Sequence, residues 1–114
     1  MPTYTLTAPA NRLTPDQKTR AAAGITRVHN AVTGAASFFA QVIVNEIPAG
    51  NYFLGGRPLA GEQLFLHGQI RAGRSALDRK KLLLELRDVV AEAAGVESPS
   101  VWVYLVDLPA CDMI

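Results

Sequence analysis

Apolar and polar residues alternate near the start of the chain, and the pattern then changes to a helical spacing. Residues 3–7 alternate, with Tyr4 and Leu6 on one face, which predicts a half-buried strand. An apolar stripe with a helical period follows at Ala21, Ile25, Val28 and Val32. Residues 39–47 are rich in β-branched and aromatic side chains, as is typical of a strand. The first half is therefore predicted to form a strand, a helix and a strand.

The second half repeats this order of elements. Residues 64–70 predict one strand, and residues 101–108 predict the last strand of the chain. Between them lies a second helical stripe of apolar residues, formed by Leu82, Leu86, Val89 and Ala93. A chain built in this way has two strand–helix–strand units in succession.

The two predicted helices have matching ends. Thr14-Pro15-Asp16-Gln17 has the form of a capping box with proline at the first helical position. Ser75 is a preferred N-cap residue at the equivalent point of the second half. Gly34 and Gly95 are natural helix stops, because glycine readily adopts the left-handed conformation found there.

These correspondences indicate an internal repeat with an offset of 61 residues and no gaps, in which residues 42–49 align with residues 103–110. The repeat predicts a two-layer α+β fold, with two fused βαβ units forming a four-stranded mixed sheet that carries two helices on one face. We expect one domain over residues 1–114, with repeats at 1–50 and 62–111. A monomeric ferredoxin-like domain has the same element order and is the alternative.

Residues 48–62 connect the two halves and include four glycines. This connection is long for a compact domain, and we expect it to hold a small hairpin. Several aromatic and apolar residues are expected near the sheet, namely Phe38, Phe39, Tyr52, Phe53 and Leu54. A sheet covered on one face only leaves apolar surface to bury, so an oligomer is expected.

Composition and charge exclude several classes of protein. The 114 residues are 49% hydrophobic and 18% charged, as in a chain that forms a packed core. The net charge of +1 provides no basic field for nucleic acid or for an anionic membrane. One cysteine, Cys111, excludes an intrachain disulfide and a cysteine-rich zinc site, and it has no recognisable activating neighbour. No signal sequence or membrane span is evident, so a soluble cytoplasmic protein is expected.

Pro2 is the first candidate for chemistry. Removal of Met1 leaves proline at the amino terminus, where its nitrogen is a secondary amine. An ordinary α-amino group has a pKa of about 7.7–8.0, so such a group suits acid or base catalysis near neutral pH. The alternative is that Met-Pro is an ordinary chain start.

Arg71 and Arg74 lie where the second half passes from strand to helix. Two guanidinium groups beside a helix N-terminus suit the binding of a carboxylate, because they offer bidentate hydrogen bonds and positive potential. Alternatively, both are solvated side chains that flank the helix.

Two further side chains are candidates. His29 lies beside the apolar stripe of the first helix, and its repeat partner is Val90, so the fold itself requires no histidine there. Alternatively, His29 is a half-packed histidine without a function. Tyr104 shares a strand face with Trp102 and offers its phenol to a bound anion, or it packs as a structural aromatic. His67 fits a structural role equally well, and the two histidines make a weak case for a metal site.

Several segments, in this order and spacing, resemble the tautomerase superfamily, and in particular the cis-3-chloroacrylic acid dehalogenase group. They are Met1-Pro2, Ile25-Thr26-Arg27-Val28-His29, Ala49-Gly50-Asn51-Tyr52-Phe53-Leu54-Gly55-Gly56, Arg71-Ala72-Gly73-Arg74-Ser75 and Val101-Trp102-Val103-Tyr104. Together with the paired βαβ repeat, they extend the resemblance over essentially the whole chain.

The resemblance implies a role for each candidate residue. Pro2 would be the central catalytic group, and Tyr104 would assist the acid that activates water. Arg71 and Arg74 would bind the carboxylate of the substrate, and His29 would help to hold it. A homotrimer that uses no metal or organic cofactor is also implied.

The activity implied is the dehalogenation or hydration of small unsaturated or 2-keto carboxylates. A promiscuous keto–enol tautomerase is one alternative. A non-enzymatic ferredoxin-like module for ligand binding or protein interaction is the other.

One position departs from the pattern of the family. The water-activating glutamate of the family lies just beyond a Met-x pair, followed by Tyr-Gly, whereas the sequence here stops at Met113-Ile114. Asp112 is nearby but does not occupy the matching position. With the glutamate we expect a cationic Pro2 and hydration, and without it at most tautomerase activity.

Overall fold

The computed structural model describes residues 1–36 and 39–114, so the predicted surface residue Phe38 lies outside the described residues. In chain order the elements are β1 (Thr3–Pro9), α1 (Pro15–Thr33), β2 (Gln41–Ile47), β3 (Phe53–Leu54), β4 (Arg57–Pro58), β5 (Leu64–Arg71), α2 (Ala76–Ala94) and β6 (Val101–Leu108). The order strand, helix, strand in each half confirms the predicted units. The second strand begins at Gln41 rather than at residue 39.

The four long strands form one mixed sheet in the order β2-β1-β5-β6. Within each half the two strands are parallel, and the halves meet where β1 pairs antiparallel with β5. The short strands β3 and β4 pair as the hairpin expected in the connection. Because β1 and β5 are antiparallel, the start of β1 and the end of β5 lie at the same end of the sheet.

Both helices pack on one face of the sheet, as the repeat predicts. The largest fully buried side chains come from both layers and are Tyr4, Leu6, Ile25, Leu64, Leu66, Ile70, Leu82, Leu86 and Val90. In the middle of α1, a Cβ at Gly24 would lie 2.3 Å from Cγ2 of Val89 on α2. Glycine therefore allows the two helices to pack closely at this point, at the usual conformational cost of glycine within a helix.

The helix ends also confirm the sequence prediction. The Thr14 hydroxyl accepts a hydrogen bond from the Gln17 backbone N–H, and the Gln17 side chain accepts one from the Thr14 N–H. The Ser75 hydroxyl caps α2 by accepting from the Asp78 N–H at 3.0 Å. Gly34 ends α1 in the left-handed conformation, at a φ of 75°.

The expectation of a gapless repeat is wrong at one point. The helices follow the offset of 61, since Pro15–Thr33 corresponds to Ala76–Ala94. The opening strands do not follow it, because even-numbered residues are buried in both β1 and β5. An odd offset would exchange the two faces of a strand. The connections from these strands to their helices therefore differ in length by one residue.

The sheet face opposite the helices carries several exposed apolar and aromatic side chains. Trp102 and Tyr104 of β6 lie on this outer face with 45% and 55% of their surface exposed, whereas Val101 is buried, as the alternation predicts. Ile43 of β2 and Val106 of β6 add further exposed apolar surface. Phe39, Phe53 and Leu54 are also exposed, in agreement with the expected apolar surface outside the core. A single chain thus leaves its outer sheet face uncovered.

Candidate active site

The start of the chain lies where the two repeats meet. Pro2 is buried, whereas Met1 is 60% exposed. The Pro2 carbonyl accepts a hydrogen bond from the Gln41 N–H at 3.0 Å, which fixes it at the start of β2. On the other side, Thr3 pairs with Gln69 of β5. Pro2 precedes Thr3, and β5 continues beyond Gln69 to Arg71, so Pro2 lies beside the end of β5 that carries Arg71.

Arg74 lies in the short connection between β5 and α2 and is partly buried. Its Nη1 atom donates a hydrogen bond to the Thr33 carbonyl at 3.2 Å, at the last residue of α1. Arg71 is the final residue of β5 and is exposed. The two arginines are thus at the same end of the sheet as Pro2, but they differ in burial and in their contacts.

His29 is buried against the sheet, with 2% of its surface exposed. Its Nδ1 atom and the Tyr4 hydroxyl oxygen are 2.7 Å apart. The two rings meet edge to face, with centroids 5.6 Å apart. His29 is therefore more deeply packed than the half-packed alternative in the sequence interpretation, and it has a specific polar partner.

Burial and nearby positive charge act together on His29. Burial, then the Arg74 guanidinium, then the amino terminus lower the pKa of His29 from 6.5 to about 4. Burial raises the pKa of the Tyr4 phenol above its ordinary value, and Arg74 partly opposes this. Both groups are therefore uncharged near neutral pH. Arg74 acts on the pKa of both groups, and the amino terminus acts on the pKa of His29, so both positive groups lie within electrostatic range of the buried pair.

The depressed pKa of His29 gives the stability of the fold a pH dependence. Between pH 6.5 and about 4 the unfolded chain binds a proton at His29 that the folded chain does not. As the pH is lowered through that window, the free energy of unfolding is expected to fall by up to about 3 kcal/mol, the upper limit for a pKa shift of this size. Urea unfolding at a series of pH values measures this loss.

Two variants separate His29 from other titrating groups. The double variant Tyr4→Phe, His29→Val removes both hydrogen-bond partners, so it leaves no unpaired buried hydroxyl. It should lose the part of the pH dependence that His29 contributes, whereas His67→Gln should retain it. An unchanged slope of stability against pH in the double variant would contradict the assignment.

A hollow of about 490 Å³ lies next to the chain start. Met1 and Thr3 line it together with Leu108 at the end of β6, and Asp112 contributes an acidic side chain. Arg71, Arg74 and His29 are not among its lining residues. The hollow therefore borders the two neighbours of Pro2 in the chain, but it does not border the arginines or His29.

A larger hollow, of about 600 Å³, lies at the opposite end of the sheet, between the end of β1 and the hairpin. Arg12 and Glu62 line it and form an ion pair at 2.6 Å. None of the candidate residues borders this hollow, so its size alone does not connect it with Pro2.

Tyr104 is separated from the other candidate residues. It lies on the outer sheet face, opposite His67 of β5, and packs edge to face on Phe65 with ring centroids 5.0 Å apart. It is also four residues before Leu108, where β6 ends. Within one chain, the sheet therefore separates the Tyr104 phenol from the buried pair of Tyr4 and His29.

In the described part of the chain, the remaining sequence candidates do not form a second group of catalytic or metal-binding side chains. Cys111 is exposed. Within residues 1–36 and 39–114, no group of three or more His, Cys, Asp or Glu side chains is arranged to hold a metal ion. No helix in the same part of the chain has the length and apolar character needed to cross a membrane.

Tyr4 is the residue at this site whose role the sequence interpretation missed. Its position on the buried strand face was predicted, but its contact with His29 was not. The available signal was chemical, because a tyrosine at a core position needs a hydrogen-bond partner for its hydroxyl. The ion pair between Arg79 and Asp107, close to the same end of the sheet, had no sequence signal.

The sequence of this chain resembles that of a known protein family over most of its length. The sequence profile of a family described as "Putative oxalocrotonate tautomerase enzyme" matches residues 1–105. No curated protein sequence matches the chain.

Solved structures share the fold over nearly the whole chain. N1, a member of the cis-3-chloroacrylic acid dehalogenase family, has a TM-score of 0.95 at 28% identity, over 98% of this chain and 78% of its own. Native Ps01740 has a TM-score of 0.92 at 29% identity, over 98% of each chain. F6 fused 4-OT, an asymmetric trimer, has a TM-score of 0.92 at 23% identity, over 98% of this chain and 90% of its own. The family match over most of the chain shows that this protein belongs to the tautomerase superfamily.

Proposed function

We propose that this protein is a cofactor-independent enzyme that acts on small unsaturated or 2-keto carboxylates and uses Pro2 as its central catalytic group. The observation that supports this proposal most directly is the convergence of Arg74 and the amino terminus on His29, where both lower the pKa of the ring. That amino group belongs to Met1 in the structure, and removal of Met1 exposes the Pro2 nitrogen, one residue further along the chain, as a secondary amine. An acid–base group then lies at the same end of the sheet as Arg71 and Arg74. Its neighbours along the chain, Met1 and Thr3, line a hollow of about 490 Å³.

Binding of the substrate carboxylate falls to Arg71 and Arg74 in this proposal. Arg74 is partly buried and anchored to the Thr33 carbonyl, so its guanidinium is held in place before a ligand arrives. Arg71 is exposed and contributes mainly by its charge. A carboxylate held there lowers the electron density of an adjacent double bond or carbonyl, which prepares it for addition or proton transfer.

The protonation state of the Pro2 nitrogen distinguishes two reactions. In dehalogenation, a carboxylate activates water for attack on C3, protonated Pro2 delivers a proton to C2, and halide leaves the resulting halohydrin. In tautomerisation, neutral Pro2 removes a proton from carbon and returns it to another atom. The same group therefore serves as an acid in one reaction and as a base in the other.

The charges around Pro2 influence this choice. A protonated amine near the Arg71 and Arg74 guanidinium groups is repelled, which favours the neutral base and hence tautomerisation. The carboxylate of Asp112, which lines the same hollow as Met1, acts in the opposite direction. N1 belongs to a dehalogenase family, which favours the first reaction, whereas the two arginines favour tautomerisation as the second candidate.

Two assays on the same preparation test the proposal. One measures halide release from cis-3-chloroacrylate, and the other follows the keto–enol conversion of a 2-keto carboxylate by ultraviolet absorbance. Intact-mass analysis first establishes that Met1 is absent. Turnover of either substrate supports the enzyme. Binding of both carboxylates without turnover of either would instead support a ligand-binding module.

We further propose that the protein assembles as a homotrimer through its outer sheet face. The exposed side chains of Ile43 on β2 and of Trp102 and Val106 on β6 are apolar, and burial of large exposed apolar side chains between copies of the chain stabilises an assembly. The fold is shared with F6 fused 4-OT, which is a trimer. In such an assembly, the Tyr104 phenol would face a neighbouring copy rather than its own Pro2.

Substitution of Trp102 by glutamate is expected to disrupt this assembly, because it places a charge in the buried interface. Leu77→Glu is the matched control, since Leu77 is 78% exposed on α2, on the helical side of the molecule. Sedimentation velocity should give three times the chain mass of 12.2 kDa for the wild type and for Leu77→Glu, and a smaller particle for Trp102→Glu. A monomeric wild type would contradict the proposal.

A further inference from the structure

The hydroxyl of Tyr4 is confined to one hydrogen-bonding arrangement. Tyr4 is fully buried, and Nδ1 of His29 is its hydrogen-bond partner in the described part of the chain. A neutral phenol has one O–H donor, which a buried position must satisfy. If Nδ1 carried a hydrogen, the phenol O–H would have no acceptor there. The O–H must therefore donate to an unprotonated Nδ1.

This arrangement fixes the tautomer of the imidazole. A neutral histidine carries one hydrogen, so an unprotonated Nδ1 requires the hydrogen to be on Nε2. Nε2 makes no hydrogen bond to the residues that the structure describes. It is therefore available as a donor, while Nδ1 is occupied by Tyr4.

The strand pairing holds Tyr4 in this position. Tyr4 pairs directly with Gly68 of β5, and a Cβ at that glycine would lie 2.5 Å from Cε1 of the tyrosine ring. The ring thus occupies the space that a side chain at position 68 would fill. Its hydroxyl is directed to His29 by this packing together with the register of β1.

The charges near the ring favour the same state. The charged groups that act on His29 are the Arg74 guanidinium and the amino terminus, and both are positive. A third positive charge at the imidazole would be repelled by both. A neutral imidazole with its hydrogen on Nε2 still donates to an anion.

We propose that Tyr4 is a positioning residue that holds His29 as the neutral Nε2–H tautomer, so that Nε2 donates a hydrogen bond to the substrate. The part that concerns the substrate rests on the proposed function. The part that concerns the tautomer does not, because it follows from the buried pair alone.

Nitrogen-15 NMR of the imidazole rings tests the tautomer without any substrate. His29 and His67 are the two histidines of the chain, so the variant His67→Gln assigns the signals of His29. The wild type should show a protonated Nε2 and an unprotonated Nδ1 near neutral pH. A hydrogen on Nδ1 in the wild type overturns the proposal, whether or not any variant folds.

Tyr4→Phe tests the positioning role, and Tyr52→Phe on the hairpin side is the matched control. Loss of the hydroxyl removes a hydrogen bond to the neutral ring, so the pKa of His29 should rise and the second tautomer should become detectable. Tyr52→Phe should change neither. Identical ring signals and titration in Tyr4→Phe and the wild type would overturn the proposal.

Kinetics then examine the substrate part separately. Tyr4→Phe should raise the KM for a carboxylate substrate about tenfold, with a smaller change in kcat, because His29 holds the substrate in this proposal. If the NMR results are as expected but no substrate is turned over by the wild type, the tautomer assignment stands and the proposed function fails. If the tautomer changes without any effect on KM, the substrate role of His29 is overturned.

Discussion

Replacement of Pro2 by alanine is expected to lower kcat/KM for a carboxylate substrate by at least about 100-fold, the lower end of what a positioned acid–base group contributes. Alanine leaves a primary amine that can rotate, whereas the proline ring fixes its nitrogen with respect to the backbone. The Pro2 carbonyl is held by the Gln41 N–H, so the ring nitrogen has a defined position relative to β2. Steady-state kinetics on preparations of verified mass measure the effect.

A chain that retains Met1 provides a second, independent perturbation of the same atom. The Pro2 nitrogen is then part of an amide bond and has neither useful basicity nor nucleophilicity. Activity should be lost, while the unfolding temperature changes little because Met1 is largely exposed. Pro99→Ala is the control, since Pro99 is an exposed residue of the turn Ser98–Ser100 and should leave kcat/KM unchanged. Full activity with Met1 retained would exclude Pro2 as the acid–base group.

The sequence predicts most of the fold because local signals agree along this chain. The capping box at Thr14 and the left-handed Gly34 bound α1 where the hydrophobic stripe requires it. The alternation around Trp102 correctly separates the inner and outer faces of β6. The one-residue difference between the halves was missed because the two halves were aligned by residue class, and the long helices dominate such an alignment. The opening strands have too few residues to reveal a shift of register.

The site is less predictable, because its groups come together only through tertiary packing. Pro2 and Arg71 are distant in sequence and become neighbours through the antiparallel pairing of β1 with β5. The contact of Tyr4 with His29 joins residues 25 positions apart on different elements, and no local pattern specifies it. The sequence correctly predicted that Tyr104 shares a strand face with Trp102. Its separation from the other candidates depends on the sheet order, which the alternation alone does not give.

Loss of Arg74 is the second large effect that we expect. A partly buried guanidinium that binds a carboxylate contributes about 2–5 kcal/mol, so Arg74→Ala should reduce kcat/KM roughly 30-fold to several thousand-fold. Arg71→Ala should have a smaller effect in the same direction, because Arg71 is exposed and its charge is screened by solvent. Lysine at either position retains the charge but loses the planar fork, so its effect should be intermediate.

Stability measurements distinguish the two arginines in a different way. Arg74 donates to the Thr33 carbonyl at the end of α1, so Arg74→Ala should cost about 1 kcal/mol of unfolding free energy. Arg71→Ala should change the stability by less than about 0.5 kcal/mol. Arg27→Ala, at an exposed position of α1, is the control for removing a positive charge elsewhere.

A neutral substrate analogue decides whether the loss of activity reflects carboxylate binding. With an amide in place of the carboxylate, the wild type loses its charge-assisted hydrogen bonds to the arginines, and Arg74→Ala has little left to lose. The ratio of wild-type to variant kcat/KM should therefore be large for the carboxylate and near one for the amide. If Arg74→Ala weakens both substrates equally, the arginine acts by shaping the site around Pro2 and His29. If it weakens neither, the carboxylate is bound elsewhere, and the convergence of Arg74 and the amino terminus on His29 has no role in binding substrate.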